Sequence, residues 1–265
     1  MVHFPDISPI AFSIGPLAVR WYALAYVVGI LIAQRYISWL DEHKNAPPIL
    51  GKKARDDLVL YGVLGIILGG RIGYVTFYNF NYYIHNPVQI LHVWQGGMSF
   101  HGGLAGILIA FYFFARRFKL PWLRLMDLLA VATPVGLFFG RLANFVNGEL
   151  FGRVTDVPWG MVFPNGGPEP RHPSQLYEAG LEGLVLGSIL WFFATRISAL
   201  KYRGVLGGVF IGGYGLARFT VEFFREPDSQ LGTFTLGLSM GQLLCIPMLV
   251  LGSWLVLTAQ KRPVA

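Results

Sequence analysis

Apolar residues run without alternation through seven stretches of the chain, near 19–40, 58–78, 98–115, 126–146, 175–195, 205–224 and 239–259. Clusters of charged residues, Pro, Gly and Asn separate them. Each run holds 18 to 22 residues, and a helix needs about 20 to cross the hydrocarbon of a bilayer. Strands of a membrane barrel would alternate apolar and polar positions, which these runs do not. The pattern predicts an all-α polytopic membrane protein with seven transmembrane helices, forming a single integral membrane domain over residues 1–265.

Basic residues orient the spans. The loops after the first, third and fifth runs and the C-terminal tail hold Lys44, Lys52, Lys53, Arg55, Arg116, Arg117, Lys119, Arg124, Arg196, Lys201, Arg203, Lys261 and Arg262. The opposite segments hold only Arg153, Arg171 and Arg225. Because cytoplasmic loops carry the excess of Lys and Arg, the N-terminus is expected outside and the C-terminus in the cytoplasm. The longer outer segments, 79–97 between spans two and three and 147–174 between spans four and five, are rich in aromatic residues, Pro and Gly and predict small non-helical elements. Small residues four apart, Gly65/Gly69/Gly73 and Gly204/Gly208/Gly212, predict close helix contacts and need only that explanation.

Composition narrows the class. Of 265 residues, 54% are hydrophobic and only 13% charged, against about a quarter charged in a soluble domain. That excludes a water-soluble globule, and it excludes a disordered chain, which needs low hydrophobicity and high charge. The net charge of +7 reflects loop residues rather than one basic face, so no nucleic-acid partner is expected. The lone Cys245 lies in an apolar run without a partner and reads as inert packing. The first 18 residues lack a basic start and the run after them has full membrane length, so no cleavable leader is expected. The six His are scattered, and no metal site or cofactor is expected.

Charged side chains inside apolar runs are costly, about 2.5–3.5 kcal/mol or more each, and mark function. Arg71, Arg141 and Arg218 lie 13, 15 and 13 residues from the starts of the second, fourth and sixth runs, about 20 Å up at 1.5 Å per residue. All three therefore stand at one height in the outer half of the membrane, where planar guanidinium forks suit a phosphate. At that level also fall Tyr22, His101, Asn144, Asn147, Glu149, Gln175 and Glu178, while Tyr214, Arg218 and Glu222 share one helix face. Each has a plainer reading. Arg218 and Glu222 can neutralise each other, Arg71 can snorkel to the interface, His101 can be structural, and Tyr22 beside Trp21 can belong to an aromatic belt. From spacing alone the result is an anion site open to the outer leaflet. An anionic-lipid carrier would place polar residues at both faces or at the midplane, and an intramembrane hydrolase would need a paired nucleophile.

These residues lie in strings that resemble the signature of the bacterial phosphatidylglycerol–prolipoprotein diacylglyceryl transferase family. The strings are Arg20-Trp21-Tyr22, Gly70-Arg71-Ile72-Gly73-Tyr74, Ser99-Phe100-His101-Gly102-Gly103-Leu104 and Gly140 to Glu149 with Gly152 following. Arg171 to Glu178 and Val221 to Arg225 complete the set. The resemblance covers about residues 4 to 250. It implies a transferase of the bacterial inner membrane, working toward its periplasmic side, in lipoprotein biosynthesis. The diacylglyceryl group of phosphatidylglycerol would pass to the lipobox cysteine of a prolipoprotein beside its signal peptide, giving a thioether and glycerol 1-phosphate. Its implied partners are phosphatidylglycerol, the preprotein and the lipid bilayer. Catalytic roles would fall to His101, Arg141 and Arg218. Substrate binding would involve Arg141, Tyr22, Arg71, Asn144, Glu149, Gly152 and Glu222, with Gly152 allowing a tight outer turn. His101 would act as base toward the thiol or as a hydrogen-bond donor to phosphate.

Overall fold

The computed structural model describes residues 2–43, 46–226 and 238–264; Lys44, counted above with the basic loop residues, lies outside them. In chain order the elements are β1 (Val2–His3), β2 (Ile10–Ile14), β3 (Leu17–Arg20), α1 (Trp21–His43), α2 (Lys52–Phe77), α3 (Phe80–His85), α4 (Phe100–Arg117), α5 (Trp122–Val146), β4 (Met161–Val162). They continue with α6 (Ser174–Thr195), α7 (Val205–Val221) and α8 (Met240–Leu257). Each of the seven apolar runs has become a helix. Five of these helices, α1, α2, α5, α6 and α8, are long and apolar enough to cross a membrane, and α7 is a shorter apolar helix. The 18-residue α4 ends in Arg116 and Arg117.

The chain forms two compact units, one of residues 1–47 and 126–265 and one of residues 48–125. In the smaller unit α2 and α4 pack antiparallel through glycines. A Cβ on Gly69 would lie 2.4 Å from the Gly102 carbonyl oxygen, and one on Gly65 would lie 2.8 Å from the Ala110 Cβ. Such approach is what a small-residue stripe allows, because van der Waals contact drives helix association in lipid. Ser99 opens α4, its Oγ accepting the Gly102 N–H at 3.2 Å, which fixes His101 in the first turn. Segment 79–97 departs from the non-helical expectation. It holds α3 and two 3₁₀ turns, Pro87–Leu91 and Val93–Gln95.

In the larger unit, α5 and α7 run parallel, with α1 and α6 antiparallel to α5 and α8 antiparallel to α7. Gly29 of α1 approaches the Gly136 Cα, and Gly252 of α8 fits against Gly208 and Gly212. Gly204 departs from the packing stripe: it takes φ +85° just before α7. Its N–H donates to Asp127 Oδ2 at 2.7 Å and the Gly207 N–H donates to Oδ1 at 2.8 Å. A buried carboxylate thereby satisfies donors that the start of every helix leaves unpaired.

Outside the helices, β2 and β3 form an antiparallel hairpin with Ile14 opposite Leu17. Its two-residue turn places Gly15 at φ +57°, as the first central position of a type II′ turn requires. This hairpin has no counterpart in the apolar pattern. β1 pairs in parallel with β4, and segment 152–154 is bridged on one side to Arg225 and on the other to Arg171.

Candidate active site

Helix α5 ends where its sequence turns polar. Gly148 takes φ +62°, its N–H donating to the Phe145 carbonyl while the Glu149 N–H reaches back to the Asn144 carbonyl at 3.1 Å. This is a Schellman cap, which needs a left-handed residue at its turn. The reversal brings Glu149 over its own helix, where its Oε1 accepts from Asn144 Nδ2 at 2.8 Å and Asn147 Nδ2 at 3.2 Å. Gln175 Nε2 then donates to the Glu149 carbonyl at 2.6 Å and ties this corner to α6. Tyr22 lies in the electrostatic field of Glu149 and Arg141 and meets the Tyr26 hydroxyl at 3.3 Å.

Below that corner three arginines and three glutamates form one network. Arg141 Nη1 lies 3.1 Å from Glu178 Oε2, and its Nε and Nη2 donate to Glu182 Oε2 at 3.2 and 3.1 Å. Arg218 Nη1 donates to the other oxygen of Glu178 at 2.6 Å, and its Nη2 pairs with Glu222 at 2.8 Å. Arg225 Nη1 also reaches Glu178, at 2.9 Å. Arg141 and Arg218 thus meet across a single carboxylate. Their common height follows from the parallel packing of α5 and α7. From Asp127 to Arg141 and from Gly204 to Arg218 are equal steps of 14 residues, about 21 Å at 1.5 Å per residue.

The network is polarised. The Glu178 and Glu182 side chains are wholly buried, whereas the side chains of Arg141, Arg218 and Arg225 keep 17%, 20% and 15% of their surface. Carboxylates stand behind and guanidiniums face the open side. Arg141 hydrogen-bonds Glu182 through two of its five N–H donors and Arg218 hydrogen-bonds Glu178 through one, while the Arg141–Glu178 Oε2 and Arg218–Glu222 Oε2 contacts are ion pairs without a hydrogen bond. Among the described residues the remaining donors are free for an anion. Glu222 is itself anchored, its Oε1 accepting from Ser239 Oγ at 3.0 Å at the capped start of α8.

Arg71 is used otherwise. In the smaller unit its Nε donates to the Ile90 carbonyl (2.8 Å), Nη1 to Gly96 and Gly97 (2.6 and 3.1 Å), and Nη2 to Gln89 and His92 (2.6 and 3.4 Å). All five donors are met by one loop, with the guanidinium over the Tyr83 ring at 5.1 Å. The expected phosphate ligand is here a clasp on segment 87–97. His101 sits exposed at the start of α4 with its ring edge-on to Phe100.

Gly152 has no positive φ and turns nothing. Its N–H donates to the His172 carbonyl at 2.8 Å while the Arg153 N–H donates to Phe224 at 2.9 Å. A Cβ there would stand 2.2 Å from the Phe224 oxygen. Close backbone approach, not turn conformation, requires glycine. The same strand-like contact seats Arg225 in the network. Glu182 escaped the sequence reading altogether, although an acidic residue in an apolar run four positions after Glu178 was the signal to notice.

The family model described as prolipoprotein diacylglyceryl transferase matches residues 9–258. Curated relatives named phosphatidylglycerol–prolipoprotein diacylglyceryl transferase align over nearly the whole chain. The protein of Allorhizobium ampelinum is 55% identical over 98% of this chain and 93% of its own. That of Rhodospirillum rubrum is 52% identical over 99% and 96%, and that of Rickettsia rickettsii 51% over 98% and 99%.

Proposed function

The chain belongs to the prolipoprotein diacylglyceryl transferase family, and from that premise we propose how its residues perform the transfer. The protein is a transferase that moves the diacylglyceryl group of phosphatidylglycerol to a prolipoprotein cysteine. The cysteine sulfur bonds to the glyceryl carbon, the carbon–oxygen bond to phosphate breaks, and glycerol 1-phosphate leaves. The thiol proton goes to a base, and the departing phosphate gains negative charge.

The single observation that carries the assignment of roles is the polarised arginine network. Buried Glu178 and Glu182 hold Arg141 and Arg218 with spare N–H donors on the accessible side. Donors already aimed at the place where charge develops need no reorganisation during reaction, and such stabilisation is often the largest catalytic term. Arg141 and Arg218 bind the phosphate and stabilise its added charge. Glu222 holds Arg218 in place, and Tyr22, Asn144 and Glu149 orient the glyceryl portion. Gly152 serves indirectly by seating Arg225, and Arg71 by fixing segment 87–97. His101 is the base that takes the thiol proton, since an ordinary thiol near pKa 8.5 is mostly protonated at neutral pH and a neutral imidazole nitrogen accepts a proton.

Seven spans, an outside N-terminus and a cytoplasmic C-terminus complete the reading. It is supported by helices at all seven apolar runs and by the basic loops. The active site then opens toward the periplasmic leaflet of the inner membrane, where a secreted lipobox arrives. The deciding experiment incubates purified protein with labelled phosphatidylglycerol and a lipobox peptide. A thioether-linked diacylglyceryl peptide is expected; free diacylglycerol would indicate hydrolysis, and lipid movement without either product a carrier. In the same assay His101→Ala should change the pH dependence of the transfer rate, and an unchanged pH profile removes it as the base.

A further inference from the structure

We propose that Glu182, wholly buried within α6, is a positioning residue that sets the plane of the Arg141 guanidinium for the transfer. The inference rests on the reading of Arg141 as a phosphate ligand.

The three carboxylates of the network are not equivalent. Glu178 is shared by Arg141, Arg218 and Arg225, and Glu222 is shared by two arginines and Ser239. Among the described residues Glu182 pairs with Arg141 alone. Both contacts converge on one oxygen, Oε2, from Nε at 3.2 Å and Nη2 at 3.1 Å. That grips a whole edge of the fork, so the plane cannot turn, and it leaves Nη1 and the second N–H of Nη2 for a ligand beside the Glu178 ion pair. The other oxygen, Oε1, is buried with no hydrogen bond among the described residues. A buried carboxylate with half its acceptors unused is expensive. What offsets that cost is the hold on Arg141.

The backbone is arranged for the same contact. Residues Ala179–Val185 form a π-helical turn within α6, a widening that recurs at functional sites. In it Gly183 brings α5 close, since a Cβ there would stand 2.6 Å from Phe138 Cβ and 2.9 Å from Phe138 Cα. Phe138 and Arg141 are three residues apart on one face of α5. The approach that Gly183 permits therefore presents Arg141 to Glu182.

The test uses the full-length protein in detergent with phosphatidylglycerol and a lipobox peptide, measuring kcat, KM, inhibition by glycerol 1-phosphate and thermal unfolding. Glu182→Leu should lower kcat about 100-fold, the scale of loss for a misplaced catalytic group, with little change in unfolding temperature. Glu182→Gln should stay within about tenfold of the parent, because its amide oxygen replaces Oε2 for both donors. In an Arg141→Lys background, Glu182→Leu should add less than about threefold, since residues acting as one unit are non-additive. If Glu182→Leu does not fold, Glu182→Asp carries the test: its carboxylate is drawn back by one methylene, and kcat should fall while charge is kept. Near-normal kcat in the Leu or Asp variant, equal loss in Gln and Leu, or full additivity with Arg141→Lys overturns the proposal. Absence of thioether product from the unaltered protein would instead sink the transfer reading.

Discussion

At the scale of single residues, the segment before α6 shows how a titratable group is held by its neighbours. Trp159 Nε1 donates to the Tyr177 hydroxyl at 2.7 Å, and that hydroxyl meets His172 Nδ1 at 3.1 Å. An indole only donates, so the Tyr177 proton points to an imidazole nitrogen that accepts. Partial burial pushes the His172 pKa below its usual value, while Asp156 pulls the other way. A group whose folded pKa is depressed stabilises fully above its unfolded value, near 6.5, and loses that contribution as pH falls through the folded one. Thermal stability should therefore fall as pH drops below about 6.5, and His172→Gln should flatten that limb; an identical slope in the variant refutes the link. Gly152 marks a different constraint. Gly152→Ala places a methyl against the Phe224 carbonyl, and such overpacking typically costs about 1–3 kcal/mol or more. Activity should fall with stability in a melt and transfer assay, because Arg225 is seated by the same contact.

At the scale of elements, glycine pairs decide how close the helices come. Gly252 of α8 would, with a Cβ, stand 2.7 Å from the Gly208 carbonyl and 2.6 Å from the Gly212 N. Gly252→Leu should separate α7 from α8 and drag Glu222 from Ser239. The expected result is a lower unfolding temperature together with weakened inhibition by glycerol 1-phosphate, and retention of both would show that the interface tolerates bulk. The shared height of Arg141 and Arg218 is readable from their similar distances, 15 and 13 residues, from the starts of their runs, and the structure places them across one carboxylate. The role of Gly204 is not, because a left-handed residue and a packing residue look alike in a glycine stripe. Segment 79–97 was misjudged for a related reason: Asn, Pro and Gly punctuate short helical turns as well as loops.

At the scale of the whole molecule, the proposed orientation in the bilayer rests on the balance of basic residues. In a Cys245→Ser background, which should remain active because Cys245 is a buried free thiol outside the arginine–glutamate ion pairs, single cysteines can map this. A cysteine at Ser13 should react with a membrane-impermeant maleimide on intact spheroplasts, and one at Lys201 only after lysis. Reversed labelling would invert the topology and move the arginine network to the cytoplasmic leaflet. The signature strings from Gly140 to Gly152 and Arg171 to Glu178 meet in the larger unit at the Glu149 corner, where Gln175 reaches the Glu149 carbonyl.

What the amino-acid order determined without help is the class of protein, its helical runs and the common level of Arg141 and Arg218, since these follow from hydrocarbon thickness and helical rise. Tertiary structure decided the partners. Whether a membrane arginine binds a phosphate, clasps a loop as Arg71 does, or rests on a buried glutamate as Arg141 does depends on which carbonyls and carboxylates come within hydrogen-bonding distance of its fork. Those neighbours lie 18 to 41 residues away along the chain, beyond the reach of local periodicity.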